Sequence, residues 1–304
     1  MLRTKKQTAL SISLNKNMIK ILSVFFLLLS LYSCSIADSQ PNGKNTENII
    51  IPSDSTLPKS NKLEELEIDP NLSEKDKERV KEIISKKYLM GQFDPASDNR
   101  FMLIPAKKLV NSDQAIYIRK EAMEAFNNMY AAAEKEGIKL KIMSATRPFS
   151  VQKAIWERKW LGKQMVNGQF IPDSIKGKAR ALRILEWNSM PSTSRHHWGS
   201  DIDINNVNPE YWEQPLGKKE YEWLVKHAHE YGFCQPYSKM GPERPEGYQE
   251  EKWHWSYLPI SRELVKRYQQ EIIDADISGF LGAETAKDIG VVKIYVLGIN
   301  PACQ

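Results

Sequence analysis

Two stretches of the chain decide its fold: residues 194–203, which read SRHHWGSDID, and residues 250–255, which read EEKWHW. Together they hold three of the five histidines of the protein, each close in sequence to a carboxylate. Imidazole and carboxylate groups form the ligand set that suits Zn²⁺, and a catalytic zinc takes three protein ligands and leaves one position open. The two stretches therefore predict a zinc site built from His196, His254 and one aspartate.

The residues alone do not decide which aspartate binds. Residues 201–204 alternate as a short strand does, and on a strand Asp201 and Asp203 point to the same face. Both could approach the metal, or one could bind while the other orients a histidine. Periodicity therefore leaves the two aspartates as alternatives.

The other histidines are not expected to bind the metal. His197 follows His196 and points away from it if the segment is extended. His227 and His229 lie two residues apart on a predicted helix, so they face different ways and are interpreted as structural.

Glu251 is the predicted general base. A carboxylate beside a zinc site can take a proton from the attacking water and give one to the leaving amine. Glu251 lies three residues before His254, so it can share the cleft without binding the metal. On a strand, Glu250 points to the opposite face and is interpreted as a surface residue.

A third stretch, residues 144–152, reads SATRPFSVQ and follows a predicted strand. The guanidinium of Arg147 at a strand end is a suitable fork for a carboxylate. Alone it is a weak signal, because an arginine before a proline turn is common.

Together the three stretches resemble the D-alanyl-D-alanine carboxypeptidase family related to the vancomycin-resistance D,D-carboxypeptidases. That family belongs to the LAS metallopeptidases, which share a fold with lysostaphin and the Sonic hedgehog signalling domain. The family pattern is Ser-x-His-x-x-Gly-x-Ala-x-Asp, then Glu-x-x-His with Trp before the His, and an upstream Ser-x-x-Arg with a Gln five residues later. The matching residues here are Ser194, His196, Gly199 and Asp203, then Glu251, Trp253 and His254, and upstream Ser144, Arg147 and Gln152.

The resemblance implies a role for each matched residue. The zinc ligands it implies are His196, Asp203 and His254, and Glu251 becomes the base. It further gives Arg147 the terminal carboxylate of the substrate, with Gln152 and Ser194 as substrate contacts or supports. Asp201 departs from the pattern, which has alanine there, and could add negative charge or bond to a neighbour.

The predicted fold class is α+β, a small antiparallel sheet flanked by helices as in the Hedgehog/DD-peptidase fold. The sequence predicts helices over residues 73–89, 115–136, 150–160, 220–231 and 261–275, and strands over 138–143, 201–204, 251–257 and 291–296.

Residues 162–194 lack clear periodicity and are predicted to form a loop or lid. Cys234 and Cys303 could form a disulfide, which the sequence does not decide.

The N-terminus predicts export. Residues 19–32 form a short, mostly apolar run with four basic residues before it and Lys20 at its start, as in a secretory signal. Residues 31–34, LYSC, resemble a bacterial lipobox with Cys34 as the lipidated residue. The predicted domains are a lipoprotein signal peptide (1–34), a flexible tether (35–70) and a catalytic domain (71–304).

Five of the 43 basic residues lie in the signal, so the mature chain has as many basic as acidic residues and gives no reason to expect nucleic-acid binding.

The implied activity is hydrolysis of the terminal D-Ala-D-Ala bond of a peptidoglycan stem peptide by an enzyme with one Zn²⁺ per chain. A lipid anchor at Cys34 would hold it to a membrane in the cell envelope, on the periplasmic face of the outer membrane in a diderm cell. The alternatives are another peptidoglycan peptidase (an L,D-carboxypeptidase, dipeptidase or endopeptidase) and a non-catalytic zinc-containing module. Glu251 favours an enzyme, because a binding module needs no base.

Overall fold

The computed structural model describes residues 85–304. The predicted signal peptide, the tether, Cys34 and the first part of the helix predicted over 73–89 lie outside the described residues. Residues 85–89 are helical, as predicted for the end of that helix. Within the described part of the chain, no helix has the length and apolar character needed to span a membrane.

After the helical residues 85–89, the described part of the chain contains six α-helices and six short strands, joined by 3₁₀ turns, loops and a π-helix. The helices are α1 (Lys120–Lys135), α2 (Phe149–Trp160), α3 (Gly177–Leu185), α4 (Pro215–His227), α5 (Leu258–Glu271) and α6 (Ala286–Ile289). The strands are β1 (Phe101–Leu103), β2 (Tyr117–Arg119), β3 (Ile142–Ser144), β4 (Asp201–Ile204), β5 (Phe233–Cys234) and β6 (His254–Tyr257). This arrangement confirms the predicted α+β class.

The central sheet has four antiparallel strands in the order β3-β4-β6-β5, and β1 pairs with β2 in a separate ribbon. On β4, Ile202 and Ile204 are fully buried, and on β6 Trp255 is almost so. These apolar residues alternate with polar ones, so one face of the sheet packs on the core and the other carries the polar side chains of Asp201, Asp203 and His254. The strand predicted over 201–204 is confirmed.

Two apolar clusters fill the interior. The first packs α1 and α4 against the central sheet, with Phe126 and Met129 of α1 at its centre. The second joins α2, α3 and α5 to the C-terminal residues, with Trp156 and Tyr268 among its largest side chains. Trp198, which follows His196 and His197, belongs to the second cluster, whereas Ile202 of β4 and Trp255 of β6 belong to the first. The two histidine stretches, residues 194–203 and 250–255, are therefore packed against both clusters.

Several predicted element boundaries were wrong. The helix predicted from residue 115 begins at Lys120, because 117–119 pair with β1 as β2. The strand predicted from residue 251 begins at His254, since 251–253 form a turn in which His254 N–H bonds to the Glu251 carbonyl. The helix predicted over 220–231 is α4 followed by a 3₁₀ turn (Ala228–Tyr231), and α4 starts earlier, with Pro215 in its first turn.

Two predicted element types were wrong. The strand predicted over 291–296 is a π-helix, Val292–Val296, whose valines are buried in the second cluster, so packing overrides their β propensity. The segment 162–194, predicted as a loop, contains α3. A buried arginine, Arg180, interrupts the apolar face of that helix and obscured its periodicity.

The helices predicted over 150–160 and 261–275 are confirmed as α2 and α5, the second ending four residues early at Glu271. The strand predicted over 138–143 is observed as β3 over Ile142–Ser144, so it begins four residues later and ends one residue later than predicted.

The C-terminal segment is tied to the central sheet. Cys234 on β5 and Cys303 form a disulfide with their Cα atoms 5.7 Å apart. Nearby, the Asn300 N–H donates to the Pro236 carbonyl (2.8 Å), and its amide donates to the Gln235 carbonyl (3.3 Å). The chain end therefore holds the start of the segment that leads to Glu251.

Candidate metal centre

The strand register brings two of the predicted ligands together. In the β4–β6 pair, Asp203 lies directly opposite His254. Residues opposite each other in antiparallel strands project from the same face of the sheet, so the carboxylate and the imidazole meet there. His196 reaches the same place from the 3₁₀ helix Arg195–Trp198, just before β4.

Gly199 makes this approach possible. It has φ +75° between the 3₁₀ helix and β4, in the left-handed region that favours glycine. A Cβ atom built there would lie 2.3 Å from a ring carbon of Phe101, so no side chain fits. The glycine of the motif is thus the corner at which the chain turns from His196 into the strand that carries Asp203.

The three predicted ligands form one buried cluster. His196 Nε2 lies 3.3 Å from Asp203 Oδ1, and His254 Nδ1 lies 3.6 Å from the same oxygen. One ligand atom from each residue can be chosen so that all three lie within 4.8 Å of one another. Within residues 85–304, His196 Nε2 and Asp203 Oδ1 have no hydrogen-bond partner although both are buried. Unpaired buried polar atoms are costly, so their convergence on one point fits a bound cation.

Hydrogen bonds on the far side of each ring orient the two imidazoles. His196 Nδ1 donates to the Ala145 carbonyl (2.8 Å), which leaves Nε2 without a proton and facing Asp203. His254 is turned the other way: its Nε2 lies 3.0 Å from Asp201 Oδ1, and its Nδ1 faces Asp203 and Glu251. Both rings therefore present one nitrogen to the centre of the cluster.

Asp201 faces away from the cluster centre. Its Oδ1 also accepts from Arg195 Nε (3.0 Å) and from the Ser256 hydroxyl, and its Oδ2 accepts from Ser200 Oγ (2.6 Å). Burial alone would raise its pKa, but the charge of Arg195 and the hydrogen bond with His254 hold the pKa of Asp201 far below its ordinary value. The carboxylate is thus ionised and fully engaged by its neighbours.

His197 is also oriented by the backbone. Its Nδ1 donates to the Arg147 carbonyl (2.5 Å), and its Nε2 accepts from the Ser192 N–H (3.1 Å). Burial lowers the pKa of His197 to about 3, so the ring is neutral. His197 is not one of the three clustered residues, and its hydrogen bond connects the segment of Arg147 with the 3₁₀ helix Arg195–Trp198.

Glu251 lies beside His254. Its Oε2 is 3.0 Å from His254 Nδ1, and its side chain is buried. Burial raises the pKa of Glu251 above the ordinary value, despite the opposing effect of the His254 hydrogen bond. The backbone holds the residue through its N–H to the Tyr237 carbonyl (2.9 Å) and through its own carbonyl, which accepts from Gln235 Nε2 (3.0 Å).

Glu250 lies on a different side of the chain, where Tyr221 donates to it at 3.4 Å. The prediction that strand alternation points Glu250 and Glu251 to opposite faces was wrong, because both residues precede β6. The turn at 251–253, and not strand alternation, directs Glu251 to the cluster.

A backbone hydrogen bond connects the third stretch, residues 144–152, with the 3₁₀ helix that carries His196. The Arg147 N–H donates to the His196 carbonyl (3.0 Å). Burial is the main cause of the lowered pKa of His196, and the nearby positive charge of Arg147 adds to it. The arginine therefore lies near the ligand cluster.

Several polar atoms around this arginine are buried and unpaired among the described residues. They are Arg147 Nε, Thr146 Oγ1, Gln152 Oε1 and Ser194 Oγ. The other end of the Gln152 amide donates to the Ser189 carbonyl (2.8 Å), which fixes its orientation. The group can offer donors and acceptors to a polar ligand beside the cluster.

Some contributors gave no signal in the sequence. The Ala145 carbonyl orients His196, and a backbone atom leaves no trace in residue type. The Tyr237 ring packs edge-on against His254, with centroids 4.8 Å apart, from a segment without a recognisable pattern. The pairing of Arg195 with Asp201 could have been suggested by their opposite charges six residues apart.

Comparison with known proteins shows what part of the chain is similar to. The family model described as VanY: D-alanyl-D-alanine carboxypeptidase matches residues 115–260. Among curated proteins, the chain is 28% identical over 190 residues to "Putative carboxypeptidase YodJ" of Bacillus subtilis (strain 168), covering 60% of each chain. It is 28% identical over 145 residues to a D-alanyl-D-alanine carboxypeptidase of Enterococcus faecalis (strain ATCC 700802 / V583), covering 47% of this chain and 48% of that one. The chain thus spans about half to three fifths of these relatives.

Solved structures include similar chains. The LdcB LD-carboxypeptidase matches with a TM-score of 0.43 and 24% identity, over 64% of this chain and 80% of that one. VanYB in complex with D-alanine-D-alanine matches with a TM-score of 0.36 and 22% identity, over 56% of this chain and 92% of that one. The residues matched by the family model include the ligand cluster, Glu251 and Arg147. Residues 115–260 of the chain are therefore similar to the VanY D-alanyl-D-alanine carboxypeptidase family.

Proposed function

We propose that this protein is a zinc-dependent D,D-carboxypeptidase that removes the terminal D-alanine from peptidoglycan stem peptides. The observation that carries the proposal is the convergence of His196, Asp203 and His254 with two buried, unpaired ligand atoms, next to the buried carboxylate of Glu251.

The residues fit zinc in number and type. Two imidazoles and one carboxylate are the donor set of many catalytic zinc sites, which keep one position open. Zinc held there would polarise the scissile carbonyl and lower the pKa of a water. The two oriented rings and Asp203 would hold it without help from Asp201, whose oxygens are already engaged.

The surrounding side chains supply the proton transfer and the binding of the substrate. Glu251 takes the proton of the attacking water and then gives it to the leaving amine. A carboxylate with a raised pKa is suited to both steps, because it holds a proton more readily. Arg147 binds the free carboxylate of the substrate, and Gln152 and Ser194 bind its remaining polar groups through their unpaired atoms.

Arg147 favours a carboxypeptidase over an endopeptidase, because a charged guanidinium beside the ligand cluster suits a substrate with a free C-terminus. The preference for a D,D over an L,D bond rests on the family match. A non-catalytic zinc module has no use for a base, so Glu251 argues against it.

The proposed location is the cell envelope. The signal-like N-terminus and the Cys34 motif would export the chain and anchor it to a membrane. The Cys234–Cys303 disulfide supports export, since such bonds persist in oxidising compartments.

The test uses the full-length protein purified in detergent. It is incubated with stem pentapeptide or tetrapeptide, with zinc or with a chelator, and products are identified by mass spectrometry. We expect release of one D-alanine from the pentapeptide, dependent on zinc. Glu251→Gln should lower kcat by a factor of about 10²–10⁴, the usual contribution of a general base, while zinc content is unchanged.

The neighbouring Glu250→Gln is the matched control and should keep wild-type kcat. Undiminished turnover by Glu251→Gln would contradict the assigned base. Cleavage of the tetrapeptide alone would replace the D,D specificity with L,D specificity.

A further inference from the structure

Asp201 stands where the family pattern has alanine, and it lies behind one of the ligands. Its Oδ1 is 3.0 Å from His254 Nε2, the nitrogen that faces away from the cluster centre. The same oxygen accepts from Arg195 Nε at 3.0 Å. The extra carboxylate of this chain is therefore in direct contact with a ligand through an atom that does not itself bind metal.

Arg195 balances the charge of Asp201. Both side chains are completely buried, and the guanidinium also donates to Ser256 Oγ (2.8 Å) and lies over the Trp198 ring, 4.8 Å from its centroid. A single buried carboxylate would add a negative charge beside the ligands, but the ion pair adds none. Asp201 and Arg195 together give His254 a strong acceptor without changing the net charge around the ligand cluster.

A carboxylate in this position controls the ligand. It accepts the Nε2–H of His254, so the neutral ring must carry its proton on Nε2 and present the Nδ1 lone pair to the centre. The bond also fixes the rotation of the ring and increases the basicity of the ligand nitrogen. Ser200 and Ser256 hold the carboxylate in place from two other directions.

We infer that Asp201, neutralised by Arg195, is a positioning residue that fixes the tautomer and orientation of His254 for metal binding. The inference deepens the proposed function and rests on it only in requiring that the site binds zinc.

The test measures zinc affinity by competition with a chelator on the full-length protein. Asp201→Ala alone would leave Arg195 as an unpaired buried charge, so the informative variant is Arg195→Met/Asp201→Ala, which removes both charges. We expect this double variant to bind zinc 10- to 100-fold more weakly than wild type, the usual effect of losing such a partner.

A matched control removes a buried carboxylate elsewhere. Glu220 is buried and accepts from Tyr211 Oη at 2.7 Å, and it bonds to none of the three ligands. Tyr211→Phe/Glu220→Ala should lower thermal stability but keep zinc affinity within about threefold of wild type, since distant polar pairs act independently. Unchanged affinity in the Arg195/Asp201 double variant would overturn the inference.

A second measurement does not depend on the variants folding. In ¹⁵N NMR of the zinc-loaded wild type, His254 should show a slowly exchanging Nε2–H and a metal-bound Nδ1. A protonated Nδ1 with Nε2 on the metal would overturn the inference. A wild type with no zinc affinity would contradict the proposed function itself, which separates the two failures.

Discussion

His196 and His254 face the cluster centre through different nitrogens. His196 uses Nε2, because its Nδ1 donates to the Ala145 carbonyl, and His254 uses Nδ1, because its Nε2 contacts Asp201. The two rings meet nearly edge to face, with centroids 4.6 Å apart. Each ring is therefore held by a bond on the side away from the cluster, so both rings are oriented before a metal arrives.

Metal binding should release a proton. Burial alone would lower the pKa of His254, but its hydrogen bonds with the Asp201 and Glu251 carboxylates raise the pKa to about 9 in the metal-free site. The ring is therefore protonated at neutral pH and must lose one proton to bind zinc, whereas burial lowers the pKa of His196, which is already neutral.

Because the raised pKa means that the competing proton leaves as pH increases, apparent zinc affinity should rise about tenfold per pH unit in the neutral range and level off above the pKa of His254. Calorimetry in buffers with different ionisation enthalpies measures the proton count. Release of no proton at neutral pH would show that His254 is neutral before zinc binds.

Arg147 should control substrate binding. Arg147→Lys keeps the positive charge but loses the planar fork, and Arg147→Ala loses both. We expect Arg147→Ala to raise KM for a pentapeptide about 10- to 100-fold, in line with the loss of a hydrogen bond to a charged group, with zinc content unchanged.

A peptide amidated at its C-terminus provides the comparison, since wild type and variant should cleave it equally poorly. The exposed Arg158→Ala on α2 is the matched control. Equal KM values for Arg147→Ala and wild type would assign the substrate carboxylate to another group.

At the scale of single residues, the two histidine stretches predicted His196 and His254 beside one aspartate, and only the family resemblance chose Asp203 over Asp201. His196, Asp203 and His254 converge because Gly199 turns the chain and the β4–β6 register aligns the last two. The role of Asp201 could not be predicted, because strand periodicity places Asp201 and Asp203 on one face. Only the hydrogen bonds of Asp201 to Arg195 and its serine neighbours separate the two.

The elements were predicted best where hydrophobic periodicity is clear or a proline or glycine marks the end of the element. The helix α2 follows Pro148 and ends as predicted at Trp160, and β4 has the alternation of a half-buried strand. Prediction was wrong where tertiary contacts decide. Residues 117–119 are a strand only because β1 lies beside them, and 292–296 are helical only because their valines fill the second cluster.

The helix α3 anchors the segment before it. Arg180 is buried and donates to the carbonyls of Trp160 (2.6 Å), Pro172 (2.9 Å) and Ile175 (2.8 Å). Arg180→Met should therefore lower the free energy of unfolding by about 2–3 kcal/mol, since buried carbonyls lose a charged donor. Urea denaturation measures the change.

Arg183 on the same helix is exposed and pairs with Glu186 at 3.2 Å. Arg183→Met should change the free energy of unfolding by no more than about 0.5 kcal/mol, because exposed ion pairs contribute little. Equal denaturation midpoints for the two variants would show that Arg180 is not the anchor of residues 171–175.

At the scale of the whole molecule, the Cys234–Cys303 disulfide closes a large loop, with 69 residues of sequence separation. The chain-entropy relation gives a stabilisation of about 4 kcal/mol for a loop of this size. Cys234→Ser/Cys303→Ser should lose an amount of this order in the free energy of unfolding. Zinc affinity should be unchanged, because the β4–β6 register places His254 opposite Asp203 and the Ala145 carbonyl orients His196, and the disulfide makes neither contact.

A reducing agent should destabilise the wild type by a similar amount and leave the serine variant unaffected. A wild type insensitive to the reductant would show that the bond adds nothing to stability.

The attachment of the chain end has a consequence for synthesis. Asn300 and Cys303 secure residues 234–236, and Gln235 in turn bonds to the carbonyl of Glu251. Ribosomes make residues 300–303 after His254, so a nascent chain carries all three predicted ligands before the residues that hold the segment leading to Glu251. The cluster of His196, Asp203 and His254 can therefore form before the bonds that support the backbone around Glu251 are made.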